Sequence, residues 1–459
     1  MPQQNYETVL AAVNQDASPL MELHKQESWE AVFQLCHNKR LVLLGQSSTG
    51  SQEFCELRSA ITQQLIKNQG FNALVLEGDW PDIYQLNLYI QGHLPQDSLP
   101  QILKQFKKFP AWLTCNTVMY DFLIWLRAYN DAKPRGQSKI GCYALDLFNL
   151  QASVEKVIQY LEEHDAAAAL EARHRYACFE CARHDGRHSQ TSEHYAFPFT
   201  YTQEVTELLL KLEIEAFNKV LNNSKTRADK FFYNLQYERF LKSGPSYYQA
   251  LFNGAFSSWN VRDYHMAATV TALKLHLQKR LKKRPKIIVW AHNSHVGDAR
   301  ATEMAAYGEL NFGQLLKEQH GQEVLSIGFS TYSGQITAAG AWGAEPEKKH
   351  LSLALAGSFE ALFHQARWPL FLLPLSSTRF GELNPLSEPR LQRAIGVIYS
   401  QEDERHNHYY YSRLAQQFNA IVHVDKTHAL MPYDMDFAPN KKFKKTAQKA
   451  NSAQVTELY

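Results

Sequence analysis

Two histidines three residues apart follow an apolar run in Lys286-Ile-Ile-Val-Trp290-Ala-His292-Asn293-Ser294-His295-Val-Gly-Asp298. Residues 287–290 read as a buried strand, and the polar cluster begins where it ends. Ligands of open α/β sheets sit at the carboxyl ends of the strands. Two imidazoles, an amide and a carboxylate there suit acid–base or metal chemistry. The blander reading has one histidine buried in a hydrogen bond and the other on the surface. Three more apolar runs deliver polar groups in the same way. Residues 41–45 lead into Gln46-Ser47-Ser48-Thr49-Gly50-Ser51, residues 73–77 into Glu77-Gly78-Asp79-Trp80-Pro81, and residues 140–146 end in Asp146. Alone, Glu77 reads as a helix cap or a surface ion pair. With Asp146 and both histidines in the same topological position, a shared cleft is the stronger reading. Arg58, one to two turns into the helix after the first loop, is placed to reach a carboxylate across a strand end. Arg262-Asp263 opens the long helix before the fourth strand and reads as a cap or a clamp behind the site.

The first loop, Gly45-x-x-x-x-Gly50-Ser51, nearly spells a phosphate-binding loop but lacks the lysine that motif requires, so nucleotide binding is not expected. Its backbone amides and the following helix N-terminus remain candidates for holding an oxyanion. Neither Ser47 nor Ser48 has the flanking glycines of a nucleophile elbow, which argues against a serine hydrolase. Cys178-Phe-Glu-Cys181 with His184 and His188 lies in a helical pattern, with gaps too short for a compact zinc finger; it reads as buried cysteines and a polar loop.

The elements that must position these groups are eight short apolar runs: 41–45, 73–77, 140–146, 287–290, 324–329, 370–375, 394–399 and 420–425. Helical patterns lie between the early ones, for example 53–68 with Leu57, Ile61 and Leu65 on one face. This predicts an α/β fold, a mostly parallel central sheet flanked by helices, with a helical insertion and a smaller α+β subdomain. Residues 1–150, 285–330 and 390–435 are expected to form the core that carries the cleft. Residues 151–284 read as the helical insertion and 331–389 as the small irregular subdomain. Residues 436–459 form a lysine-rich tail, expected to be disordered.

With 459 residues, 45% hydrophobic and 20% charged, the composition is that of an ordinary globular protein with a large core. A net charge of +2 gives no general attraction to nucleic acid or anionic membrane. No run approaches the length of a membrane helix, and the first residues show no secretory leader. Six cysteines in so long a chain suggest free thiols and a cytoplasmic setting.

Taken together, these segments resemble the erythromycin esterase family over residues 20 to 435. The residues that carry the resemblance are the first loop with Arg58, Gly70-Phe71 and Glu77-Gly78-Asp79-Trp80-Pro81, Gly141 to Asp146, and Ser258-Trp259-Asn260-Val-Arg262-Asp263-Tyr-His-Met266. They continue through Val289 to Asp298, Gly328-Phe329 with Tyr332 and Gly334, Gly357-Ser358-Phe-Glu360, and Arg393 to Tyr399. The match is nearest to a broad bacterial group of unassigned substrate. It implies hydrolysis of a carboxylic ester or lactone by a water that a histidine activates, with Glu77, His292, His295 and Arg58 matching family site residues. The family loop reads Gly-Glu-x-x-His-Gly, whereas here Gln46 replaces the acid and Thr49 the histidine. Threonine takes no proton at neutral pH, and a general base is worth about 10²–10⁴ in rate.

The first expectation is therefore a hydrolase in which His292, His295 and Glu77 are catalytic, while Arg58, Gln46, Thr49, Asp146 and Asp298 bind substrate. The second is a protein that binds a small molecule in the same cleft without turnover. The third, least favoured, is a divalent metal on His292, His295, Glu77 and Asp146; no cofactor is expected otherwise. The expected partner is a small ester or lactone, with neither nucleic acid nor membrane.

Overall fold

The computed structural model describes residues 3–20, 26–106, 110–146, 162–163, 232, 236, 241, 255–341, 343–375 and 384–433. Its strands are β1 (Ser18–Pro19), β2 (Leu41–Leu44), β3 (Ala73–Asp79), β4 (Gly141–Asp146), β5 (Ile287–Trp290) and β6 (Val324–Ala338). They continue with β7 (Glu347–Leu351), β8 (Leu370–Pro374), β9 (Arg390–Arg393), β10 (Tyr409–Ser412) and β11 (Ala420–Thr427). Nine of these form one sheet in the order β1-β8-β11-β6-β2-β5-β3-β4, with β7 added to β6; β9 and β10 make a separate pair. Neighbours from β11 to β4 run parallel. Antiparallel β8, β1 and β7 complete a mixed, mostly parallel α/β sheet with flanking helices.

The central strands are continuous apolar runs because both faces are covered. Every residue of β2 and β5 is at most 3% exposed, and each large side chain so buried contributes roughly 1.5–3 kcal/mol. Leu44 and Leu76 both pair with Trp290, so β2, β5 and the part of β3 that pairs with β5 end at one level. The β3–β4 register then shifts between Leu76 and Asp79. Such an irregularity bends a strand and re-aims its side chains, and Glu77 stands inside it.

The helix Gln52–Gln69 buries Leu57, Ile61 and Leu65, as their spacing predicts, and ends at Gly70 in the left-handed conformation with φ 71°. It lies on β5, where Trp290 Nε1 donates to the Thr62 hydroxyl at 2.9 Å. The helix Ala255–Leu281 matches the last helical pattern before the fourth strand. Most of the expected insertion, the Cys178–His188 cluster and the lysine-rich tail lie outside the described residues.

Two sequence expectations need correction. Residues 394–399 are buried, apart from half-buried Gly396, but are not a strand of the sheet. Their backbone clamps the first loop instead. Ile395 N donates to Ser47 O at 2.7 Å and Thr49 N to Ile395 O at 3.2 Å, while Tyr399 N reaches Ala339 O at 3.1 Å. A short apolar run reports burial, and burial alone does not make a strand. The other correction concerns β6, which continues nine residues beyond its apolar part, to Ala338. Its polar second half finds ladder partners in β11 and β7. β7 and β8, both drawn from the 331–389 region, are hydrogen-bonded into the main sheet. Among the described residues no helix is long and apolar enough to cross a membrane.

Candidate active site

The aligned ends of β3, β4 and β5 bring Glu77, Asp146 and the His292–His295 turn together, and the N-terminal part of the helix Ala255–Leu281 supplies the groups between them. Arg262 is the hub. Its guanidinium donates to Asp146 Oδ2 from Nε at 2.8 Å and Nη2 at 2.6 Å, and Nη2 also reaches Glu77 Oε1 at 3.3 Å. Arg262 Nη1 lies 3.3 Å from His295 Nε2. One fixed cation thus satisfies two carboxylates that would otherwise repel each other.

His295 is 2% exposed. Its Nδ1 lies 3.0 and 3.1 Å from the two oxygens of Asp263, a carboxylate with no solvent exposure. Asp263 Oδ1 also accepts the Phe312 backbone N–H at 2.8 Å, which fixes the carboxylate. An ionised carboxylate only accepts, so Nδ1 carries the proton, and Nε2 is left to face the donor Arg262 with its lone pair. Nε2 also stands 3.6 Å from Glu77 Oε1. The Trp259 ring stacks on the imidazole at a centroid distance of 4.2 Å and an angle of 14°.

His292 is held differently. Its Nδ1 accepts from Ser294 N at 3.3 Å and lies 2.8 Å from Ser294 Oγ, capping the short helix Asn293–Val296. A ring that accepts at Nδ1 carries its proton on Nε2 when neutral. The His292 backbone N–H donates to Glu77 Oε2 at 3.0 Å. Burial pushes the Glu77 carboxyl up, but His295, Arg262, the His292 backbone N–H and His292 together outweigh it and hold the group at about 2. Glu77 is therefore an anion at any ordinary pH and cannot act as a general acid.

Arg58 is 8% exposed and stacks over the Trp290 ring with its guanidinium carbon 4.9 Å from the centroid. Burial lowers its proton affinity, and Cys55 and Glu77 counteract this. It thus stands within electrostatic reach of Glu77, as the helix position suggested.

The first loop is docked against the histidine turn through Gln46 O, which accepts Asn293 N–H at 2.9 Å. Its two glycines answer to packing. A Cβ on Gly45 would overlap Asn293 Oδ1, and one on Gly50 would overlap the Thr337 backbone. The expectation that loop amides cradle an oxyanion fails at two positions, because Thr49 N donates to Ile395 O and Gln52 N to His428 O. The Thr49 hydroxyl is bonded to Gly396 O. Gln46 and Thr49 are both buried, at 4% and 7% exposure.

Asp298 turns away from the cluster. It caps the next turn through Arg300 N and pairs with the Arg300 guanidinium at 2.8 Å and with Lys317 at 3.2 Å. Burial raises its carboxyl, and these two cations bring it below the usual range.

Sequence reading reached Arg262-Asp263 only as a cap or clamp and did not anticipate Trp259. The signal was on one helical face. Trp259, Asp263, Met266 and Val270 recur at helical spacing and all are buried. An acid on an apolar face calls for a partner, and His295 is that partner. Among the described residues no group of three or more His, Cys, Asp or Glu side chains has metal-holding geometry. The positive charge between Glu77 and Asp146 is Arg262.

The family model described as erythromycin esterase matches residues 66–427. An Escherichia coli protein named erythromycin esterase type II is 24% identical over 323 residues, covering 68% of this chain and 74% of its own length. Among solved structures, a Bacillus cereus protein superposes with a TM-score of 0.64 at 20% identity, covering 94% of this chain and 99% of that one. A structure titled as a succinoglycan biosynthesis protein gives 0.62 at 21%, covering 94% and 100%. A mutant of the erythromycin esterase EreC in its open conformation gives 0.57 at 15%, covering 91% and 99%. At these identities the structural likeness concerns the fold.

Proposed function

Since this chain belongs to the erythromycin esterase family, we propose that it hydrolyses a small carboxylic ester or lactone, with His295 as the base that activates water. The observation that carries this reading is the Asp263–His295 contact, with Nε2 turned toward Arg262 and Glu77 at the strand ends. Asp263 holds the imidazole in one tautomer and stabilises the imidazolium that forms when Nε2 takes a proton from water. The hydroxide adds to the ester carbonyl. The tetrahedral oxyanion is then met by a fixed donor, for which Arg262, Arg58 and the His292 ring are the available groups. Collapse expels the alkoxide, and the imidazolium returns the proton to it. Glu77, always ionised, keeps Arg262 in place and orients the water.

The 3.6 Å between Nε2 and Glu77 Oε1 is less than the span of about 5 Å that a bridging water needs. The reading therefore includes an outward shift of Arg262 or Glu77 when substrate and water enter. Four described cysteines are free, which agrees with the cytoplasmic setting we assign.

A second reading, binding without turnover, is supported by Thr49 and Gln46. Where the family has an ionisable pair, this chain has a hydroxyl bonded to Gly396 and a neutral amide. One experiment separates the two. Simple esters, lactones and a macrolide are offered to the wild type, to His295→Ala and to the double variant Gln46→Glu with Thr49→His, each with and without chelator. Turnover in the wild type that His295→Ala abolishes is the expected result. A silent wild type beside an active double variant would establish the binding reading.

A further inference from the structure

The base assigned to His295 lies against an aromatic face as well as a carboxylate. We propose that the Trp259 indole stabilises the protonated His295 ring and so serves as a positioning residue for proton transfer, a role that rests on His295 being the base.

The two rings are near-parallel, 4.2 Å apart between centroids and inclined by 14°. The imidazole therefore meets the face of the indole, where the electron density of the ring is highest. The indole is held in that attitude from its far edge, where Nε1 donates to Leu310 O at 2.7 Å. Leu310 N in turn donates to Asn260 Oδ1 at 2.9 Å, and Phe312 N holds Asp263 at 2.8 Å. One short segment, 310–312, thus fixes the indole and the carboxylate that both bear on His295. Trp259 and Asp263 stand four residues apart on one helical face, so the same turn sets the plane of the imidazole and its tautomer.

Among the described residues, the titratable groups set around the ring are Asp263 and Arg262 on the long helix, Glu77 on β3 and His292 at the start of its own turn. Asp146 stands behind Arg262, and the helix Phe312–His320 contributes the Phe312 ring at 6.1 Å. Arg262 opposes a second positive charge at Nε2, and so does burial at 2% exposure. The indole offsets both without carrying a charge and without offering an acceptor that competes for the proton. A cation on an aromatic face gains most where water is excluded, and Trp259 is itself only 6% exposed.

The test follows the His295 ring through pH by NMR of histidine-labelled full-length protein, its signal assigned as the one missing from His295→Gln. In Trp259→Leu the titration midpoint should fall by about one pH unit, and Trp259→Phe should recover about half of that. A purely packing role predicts the opposite sign, because the smaller leucine admits water and water favours the charged ring. Protein in which 5-fluorotryptophan replaces tryptophan keeps the shape of the ring and weakens its face, so its midpoint should fall by about 0.3 unit. Melting curves report whether each protein is folded, and the fluorinated protein decides if Trp259→Leu is not. A midpoint that rises or stays in place in Trp259→Leu, or that fluorination leaves unmoved, overturns the proposal. The acid limb of kcat/KM on the best ester should move with the midpoint. A limb that stays while the midpoint moves, or a wild type without turnover, would remove His295 as the base and the role in proton transfer with it, while the stabilisation of the ring would stand.

Discussion

Replacing Asp263 by asparagine is the sharpest perturbation of the His295 arrangement. Both carboxylate oxygens lie within 3.1 Å of Nδ1, and Oδ1 also accepts the Phe312 N–H at 2.8 Å. In the variant the amide oxygen keeps the Phe312 bond, because a backbone donor cannot turn away. The amide nitrogen is then left facing Nδ1. A donor there selects the tautomer protonated on Nε2, and that ring has no lone pair to offer water. Loss of a positioned base costs about 10²–10⁴ in rate, and the wrong tautomer places the loss toward the upper end. The fall should appear in kcat with KM nearly unchanged, because Asp263 is fully buried and touches no substrate. The exchange of a charge-assisted hydrogen bond for a neutral one should cost about 1–2 kcal/mol of stability. Initial rates on the best ester of the panel, with a melting curve of the same sample, decide the matter. A folded Asp263→Asn protein with kcat within about threefold of wild type would refute the assignment of His295 as base.

Other outcomes follow from the same geometry. Glu77 is held at about 2, below its ordinary 4.5, so its ion pairs add stability above pH 4.5 that is lost as pH falls from 4.5 toward 2. At 22% exposure the upper figure for this contribution is about 3 kcal/mol. Denaturant titrations over that range should show a stability slope that Glu77→Gln largely removes, and an unchanged slope would contradict it. Arg262→Met strands Glu77 and Asp146 without their cation, and chemical unfolding should register a loss of about 3 kcal/mol together with loss of turnover. Asp298→Asn should alter kcat by less than about twofold, since Arg300 and Lys317 are its partners. A large kinetic effect would return Asp298 to the site.

The sequence by itself determined where chemistry was to be sought. An apolar run that ends in a carboxylate or an imidazole states both that a strand is buried and that something polar stands at its end. Glu77, Asp146, His292 and His295 were legible for that reason, and so was the alternation of strand and helix that makes the sheet mostly parallel. The face of the helix Gln52–Gln69 was equally plain from spacing, and Arg58 with it.

Tertiary structure decided which groups touch. That Asp263 holds His295, more than 30 residues away, depends on where the long helix passes the His292–His295 turn, and no local pattern encodes that meeting point. The roles of Arg262 and Trp259 have the same origin. Asp298 shows the converse, since proximity in sequence to His295 placed it in the site and the turn after Gly297 carried its carboxylate to Arg300 and Lys317. Residues 394–399 carried the apolarity of a strand, yet their backbone groups bond the first loop. Hydrophobic pattern reports how much of a residue leaves water, which is a property of one position. Hydrogen-bond partnership is a property of two, and only the folded chain brings the second one there.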